Sequence, residues 1–302
     1  MKSLRYFLVD VFTDHPFSGN QLAVFPDGGD LTKESMQKIA REFNLSETTF
    51  VFPKRNDTSD FHVRIFTPTT ELPMAGHPTI GTAFVLAHLR TIPSREQVIF
   101  EEQIGPVPIS LQYDVNDSPS WISMTQPLPK FGSRFENTSS ISEMLSLEES
   151  AIDSRLPLEV VSCGVPFLFI PLKDLSSIRR VRLKMDVWER LLKNFEAPQV
   201  FVFTQEVELP TSRVHCRMFA PALGIVEDPA TGGASGPLGC YLVKNKILQA
   251  FPNAADFISE QGFEMGRPSL IRIIIAHGPN GEFAKVVVSG QCCMIGEGTI
   301  RS

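Results

Sequence analysis

The chain has 302 residues, of which 42% are hydrophobic and 21% charged, and a formal net charge of −6. That length supports two domains with substantial cores, and the dispersed Lys and Arg form no basic stripe of the kind nucleic acid requires. No apolar run reaches the roughly 18 residues of a membrane span, and Asp10 interrupts the apolar start before a signal-peptide core forms; a cytoplasmic protein is expected, with neither nucleic acid nor membrane as partner.

In chain order, the apolar stretch from Leu4 to Asp14 predicts an opening strand. The turn-forming run His15-Pro16-Phe17-Ser18-Gly19-Asn20 then leads to a second strand, Gln21 to Phe25, in the pattern of a hairpin. Thr32 is a helix cap, and Met36, Ile39, Ala40 and Phe43 fall on one face of the helix that follows, which ends near Asn44. Glu47 stands where a turn enters the strand beginning Thr48-Thr49-Phe50-Val51. A lone Glu is usually solvated, yet such a junction can also point a carboxylate into a cleft.

The strand ending Val63-Arg64-Ile65-Phe66-Thr67 is followed by a turn containing Pro68, Pro73 and Gly76, and then by an apolar run from His77. Pro78 suits the first position of a helix. Ile80, Ala83, Phe84, Val85, Leu86, Ala87 and Leu89 leave that helix almost no polar face, so it should be enclosed by protein. Its opening carries Gly76 and His77, unpaired backbone amides and the positive end of the helix dipole, a place that favours an anion.

Short strands are predicted from Gln97 to Leu111 and from Trp121 to Thr125, and a Pro- and Ser/Glu-rich crossing with a helical piece, Ser139 to Asp153, leads into a second half. There the pattern restarts with strands Leu158–Ser162 and Phe167–Leu172, a helix Leu183–Phe195, and strands Gln199–Thr204 and Arg213–Phe219. Strands Leu270–Ala276 and Ala284–Val288 flank a tight turn near the end. The second half also repeats the first in its residues. Arg64-x-Phe66-x-Pro68 matches Arg217-x-Phe219-x-Pro221, and Glu71-x-Pro73-x-x-Gly76 matches Glu227-x-Pro229-x-x-Gly232. Such a repeat predicts two similar lobes, each offering a helix start. Position 77 is His against Gly233, and Leu72 is matched by Asp228, so the copies carry different polar groups in one plan.

The stretches DVFTDHPFSGNQLAVF, NLSETTFV, RIFTPTTELPMAGHPTIGTA, RMFAPALGIVEDPATGG and EQGFEMGRPS resemble the PhzF-like phenazine biosynthesis family, from the first strand nearly to the end. That resemblance implies an α+β protein of diaminopimelate epimerase-like fold, with two pseudo-symmetric lobes, each a β-barrel-like sheet wrapped around a central helix. The lobes are expected at 1–126, with the last strand, about 290–302, returning to it, and at 127–289. The activity implied is cofactor-free isomerisation of trans-2,3-dihydro-3-hydroxyanthranilate or a similar small carboxylic acid, in which a proton moves between carbons in a site between the lobes. By the same resemblance Glu47, His77 and Asp228 are catalytic, and Gly76, Gly232, Gly233 and Asn20 bind substrate. The expected assembly is a homodimer.

Where the founding enzyme's pattern has Ser after the glycine of the second helix start, this chain has Gly233, which keeps the amide and drops a hydroxyl. The two cysteines of the related amino-acid epimerases are matched by Ala75 and Thr231, so a two-thiol racemase is not expected. Two other readings stand beside the isomerase: an epimerase or racemase of a small acid, and a non-catalytic binding member of the fold. Residue by residue, His77 can also be a structural histidine capping its own helix and Asp228 a helix cap. Glu71 and Glu227 read as turn or inter-lobe hydrogen-bonding residues, and Arg267 either as a partner for a substrate carboxylate or as half of an ion pair. Cys163, Cys216, Cys240, Cys292 and Cys293 read as reduced core residues. The remaining histidines, His15, His62, His88, His215 and His277, show no metal-ligand spacing, and no metal is expected.

Overall fold

The structure is a computed structural model that describes residues 3–92, 95–249 and 254–301. The described residues form a mixed α/β fold of eighteen strands and six α-helices. The chain divides into two compact units, Met1–Thr125 with Val287–Ser302, and Gln126–Val286.

In the first unit, β1 (Ser3–Val11) and β2 (Asn20–Phe25) form an antiparallel hairpin with Val11 opposite Asn20. The opening strand stops three residues before the expected Asp14, because Phe12 takes a φ of 67° and its amide turns to the Gln291 carbonyl at 2.9 Å. The bend requires Gly19, whose φ is 66° and where a Cβ would lie 2.3 Å from the Val11 carbonyl oxygen. Only glycine adopts such a backbone without strain, and this bend delivers Asn20 to the start of β2. Helix α1 (Lys33–Phe43) begins as expected, with the Thr32 side chain accepting from the Ser35 amide, and ends at Asn44 in the left-handed region. Its Met36, Ile39 and Ala40 pack into a cluster with Phe25, Phe50 and Phe66, each large side chain contributing about 1.5–3 kcal/mol.

The unit continues with β3 (Glu47–Pro53), β4 (Phe61–Phe66), β5 (Glu71–Leu72), α2 (Gly76–His88), β6 (Gln97–Glu102), β7 (Gly105–Tyr113) and β8 (Pro119–Gln126). Strand β3 is parallel to β2 and antiparallel to β4, which also pairs antiparallel with β5 and parallel with β6; β6, β7 and β8 then run antiparallel in succession. Helix α2 is buried at every residue from Gly76 to Ala87 and packs on β1, β2 and β3. Close approach depends on Gly81, where a Cβ would meet Leu22 and Val11 side chains at 2.7 Å. The helix starts one residue before the expected His77, with extended Ala75 as its N-cap, so Pro78 is the third helical residue. Proline is tolerated there because amides of the first turn have no intrahelical acceptor.

The second unit contains β9 (Lys130–Arg134), α3 (Thr138–Leu145), β10 (Glu159–Ser162), β11 (Pro166–Pro171), α4 (Leu175–Arg180), α5 (Met185–Leu191), β12 (Val200–Thr204), β13 (Val214–Ala220), β14 (Ile225–Asp228), α6 (Gly232–Lys244), β15 (Ala254–Gln261), β16 (Ser269–His277) and β17 (Phe283–Gly290), within which the division falls. Strands β10 to β16 pair in the same order and sense as β1 to β7: antiparallel, parallel, antiparallel, an antiparallel hairpin, a parallel return and a final antiparallel neighbour. Helix α6 occupies the place of α2 in that order and is buried from Gly232 to Leu242. The last strand, β18 (Cys292–Arg301), lies in the first unit and pairs with β1 from end to end.

The differences from the sequence reading have local causes. The helical piece expected over Ser139–Asp153 stops at α3 because Ser146 takes a left-handed φ of 60°. Helix α4 is an additional element, capped by Asp174, which accepts from the Ser177 amide at 2.7 Å, and the helix expected over Leu183–Phe195 is shorter as α5. Strands β9, β14 and β15 are additional too; β15 ends in Ser259, Glu260 and Gln261, polar residues that are buried and hide its alternation. Cys163, Cys216 and Cys240 are buried free thiols, while Cys292 and Cys293 are half-buried. No helix among the described residues is long and apolar enough to cross a membrane.

Candidate active site

Strands β2 and β3 are parallel with Leu22 opposite Glu47, so both begin at one edge and bring Asn20 and Glu47 to the start of α2. There the His77 Nε2 lies 3.1 Å from Glu47 Oε2. Those two atoms touch without the alignment of a hydrogen bond. On the other side of the ring, the Asn20 Nδ2 lies 3.0 Å from His77 Nδ1. An amide donating there leaves Nδ1 as acceptor and puts the ring proton on Nε2, the nitrogen that faces the carboxylate. Glu47, His77 and Asn20 are only 5%, 3% and 1% exposed, so the contact is shielded from water. Of the residues named from sequence, the structure therefore brings Glu47, His77, Asn20 and Gly76 together. The imidazole is held by Asn20 and does not cap its own helix; no side-chain cap bond is made at Ala75. A hydroxyl tie between Thr49 and Thr82, at 2.8 Å, fixes α2 to the strand that carries Glu47.

The second unit repeats the arrangement with different groups. Asp228 ends β14, and its Oδ2 accepts from the Thr231 hydroxyl at 2.6 Å. The N-cap residue of α6 is Thr231 and not Asp228, which moves the cap position away from that aspartate. Gln261, fully buried at the end of β15, binds the same turn three times: its Nε2 donates to the Asp228 carbonyl at 2.7 Å and to Thr231 Oγ1 at 3.0 Å, and its Oε1 accepts from the Thr231 amide at 3.2 Å. Behind the opening, Gln126 Nε2 donates to the Gly232 carbonyl at 2.9 Å. The structure thus gathers Asp228, Gly232 and Gly233 around a turn that Gln261 and Thr231 hold; the sequence reading names Thr231 only as the match of an epimerase cysteine and gives Gln261 no role. The first-turn amides of α2 and α6 have no intrahelical acceptor, and each end carries roughly half a positive charge, suited to a carboxylate or oxyanion.

Glu71 and Glu227, expected as turn or inter-lobe residues, have another role. Arg64 holds Glu71 through Nε at 2.6 Å and Nη2 at 2.8 Å; Arg217 holds Glu227 through the same atoms at 2.7 and 2.8 Å. Each guanidinium also covers the phenylalanine two residues on, Phe66 or Phe219. The repeated Arg, Phe and Glu are therefore a structural clamp inside each unit, the bidentate geometry being the strong form of such a pair.

These features define a class: a mixed α/β protein whose two units each open a buried helix onto a polar cluster, one of them pairing a buried carboxylate with an imidazole. The sequence profile of the phenazine biosynthesis-like proteins matches residues 9–298, and the chain belongs to that family. It is similar to the trans-2,3-dihydro-3-hydroxyanthranilate isomerase of Pseudomonas chlororaphis, 36% identical over 98% of this chain and 99% of that one. An uncharacterized isomerase of Clostridium acetobutylicum is 33% identical over 98% of this chain and 97% of its own. Among solved structures, a phenazine biosynthesis protein of the PhzF family from Bacillus anthracis superposes with a TM-score of 0.91 at 27% identity, covering all of both chains. The chain is an isomerase of this family.

Proposed function

We propose that the chain isomerises a small cyclic carboxylic acid similar to trans-2,3-dihydro-3-hydroxyanthranilate, with Glu47 carrying the proton. Glu47 takes a proton from one carbon, the electron pair of the broken C–H bond moves into the neighbouring π system, and the same carboxyl returns the proton at a second carbon. No atom is gained or lost, and the step needs no cofactor. His77, with its proton set on Nε2 by Asn20, keeps a donor beside Glu47 for charge that develops on the substrate. The first-turn amides, Gly76 in one unit and Gly232 and Gly233 in the other, are the groups suited to a substrate carboxylate, since they support charge without reorganisation. Asp228 orients the ring, and Gly233, lacking a hydroxyl, shifts preference among related acids. The two units are then the two lobes of a diaminopimelate epimerase-like fold, each sheet wrapped around its central helix, in a cytoplasmic protein.

The observation that carries this reading is the buried 3.1 Å contact of Glu47 with His77 at the start of α2. Turnover of trans-2,3-dihydro-3-hydroxyanthranilate in D₂O tests it. Deuterium at a new carbon, with the double bond relocated, is expected; exchange at a single stereocentre without relocation would make the protein an epimerase, and neither turnover nor exchange with any small cyclic or amino carboxylate would make it a binding protein.

A further inference from the structure

Glu102, the last residue of β6, is 3% exposed and faces the first turn of α2. Its Oε1 lies 2.5 Å from the Thr79 hydroxyl, and that hydroxyl also lies 2.6 Å from the carbonyl oxygen of Ala75. Glu102 Oε2 has no hydrogen-bond partner among the described residues. A threonine hydroxyl has one proton. A carbonyl can only accept, so the contact with Ala75 takes the Thr79 proton, and the contact with Glu102 then needs a proton on the carboxyl. An ionised Glu102 would claim the Thr79 proton instead and leave two oxygens facing each other at Ala75.

The second unit supplies an internal control. The parallel pair β13 and β15 sets His215 opposite Glu260 and Cys216 opposite Gln261, and the parallel pair β4 and β6 sets His62 opposite Glu101. Arg64 and Arg217 are repeat equivalents, so His62 matches His215, Glu101 matches Glu260, and Glu102 matches Gln261. Ser235, the counterpart of Thr79, likewise donates to the carbonyl of the N-cap residue, Thr231, at 2.9 Å. The second unit therefore uses a permanently neutral amide where the first has a carboxyl.

We propose that Glu102 is a positioning residue, a protonated acid that holds Thr79 and through it the Ala75–Gly76 peptide, and that losing its proton releases the Gly76 amide. The link is covalent: the Ala75 carbonyl and the Gly76 N–H share one planar peptide, so fixing one fixes the direction of the other. The adjoining turn is braced as well, with the Ile104 amide donating to the Pro73 carbonyl at 3.0 Å. Burial pushes the Glu102 carboxyl up to about 8, against the opposing pull of the Thr79 hydroxyl. The titratable groups on the surrounding elements are His77 and His88 on α2, His62 and Arg64 on β4, Tyr113 on β7 and Glu101 on β6, and none of their charges contributes to that displacement.

The inference rests on the proposed role of the Gly76 amide, but its first test does not use activity. In ¹³C-glutamate and ¹⁵N-labelled protein, one side-chain carboxyl is expected to titrate near pH 8, to vanish in Glu102→Gln, and to carry the Gly76 amide shift with it. If all glutamates titrate in the ordinary acid range, or Gly76 does not follow, the proposal fails whatever Glu47 does. In turnover of trans-2,3-dihydro-3-hydroxyanthranilate, kcat/KM is expected to fall about tenfold between about pH 7 and about pH 9. Glu102→Leu lowers kcat at both, while Glu102→Gln restores it and removes the alkaline fall. An alkaline fall that persists in Glu102→Gln would overturn the gating role.

Discussion

His215 is a buried imidazole held by two carboxylates in the second unit, and its removal has a calculable signature. The imidazole is wholly buried, with Nδ1 2.7 Å from Glu260 Oε1 and Nε2 3.0 Å from Glu264 Oε1. Burial alone would lower its pKa; the hydrogen bonds to Glu260 and Glu264 outweigh that and hold it up at about 9. A rise from 6.5 to about 9, at about 1.4 kcal/mol per unit, makes the imidazolium worth about 3 kcal/mol of stability. Because the folded value lies above the unfolded one, that contribution is complete below pH 6.5, shrinks as pH rises and is gone above about 9. In His215→Gln, Glu260 keeps the amides of Glu208 and Leu209, so the group left short is Glu264. Urea unfolding of both proteins at about pH 6 and about pH 9.5 should show the stability gap narrowing by about 3 kcal/mol. A gap of constant size across that range would refute the charged state assigned to His215.

Two further outcomes follow from the scaffold. Arg217 is buried and also donates to the carbonyls of Ile178 and Val181 at 2.9 and 3.1 Å, whereas Arg64 is more open; Arg217→Ala should cost about 3–5 kcal/mol in chemical denaturation and Arg64→Ala distinctly less. Gly19→Ala forces a Cβ against the Val11 carbonyl at a positive φ, so a loss of about 1–3 kcal/mol is expected. The same change should displace Asn20 and lower kcat more than it raises KM; equal kcat would break the link between that bend and His77.

Much of this arrangement could be read from the residues. Thr32 marks the start of α1 by its cap, the enclosed apolar run after Gly76 marks α2, and the spacing of Arg, Phe, Glu and Gly in both halves marks the repeated plan. The role of Glu71 and Glu227 was hidden because a clamp needs two residues brought together by a hairpin, and sequence spacing does not show which carboxylate an arginine will meet. Gln261 and Glu102 were hidden for a related reason. A polar residue at the end of a strand looks solvated until the parallel neighbour and the helix start close over it. Strand β15 was missed because its last three residues are polar and satisfied by tertiary partners, the case in which burial and hydrophobicity part company.

The central claim is that Glu47 carries the proton, and Glu47→Gln tests it most directly because the amide keeps the shape and cannot act as the base. With trans-2,3-dihydro-3-hydroxyanthranilate in D₂O, a folded Glu47→Gln protein should lose about 10²–10⁴-fold in kcat and all deuterium incorporation. Turnover and exchange near the wild-type rate would contradict it.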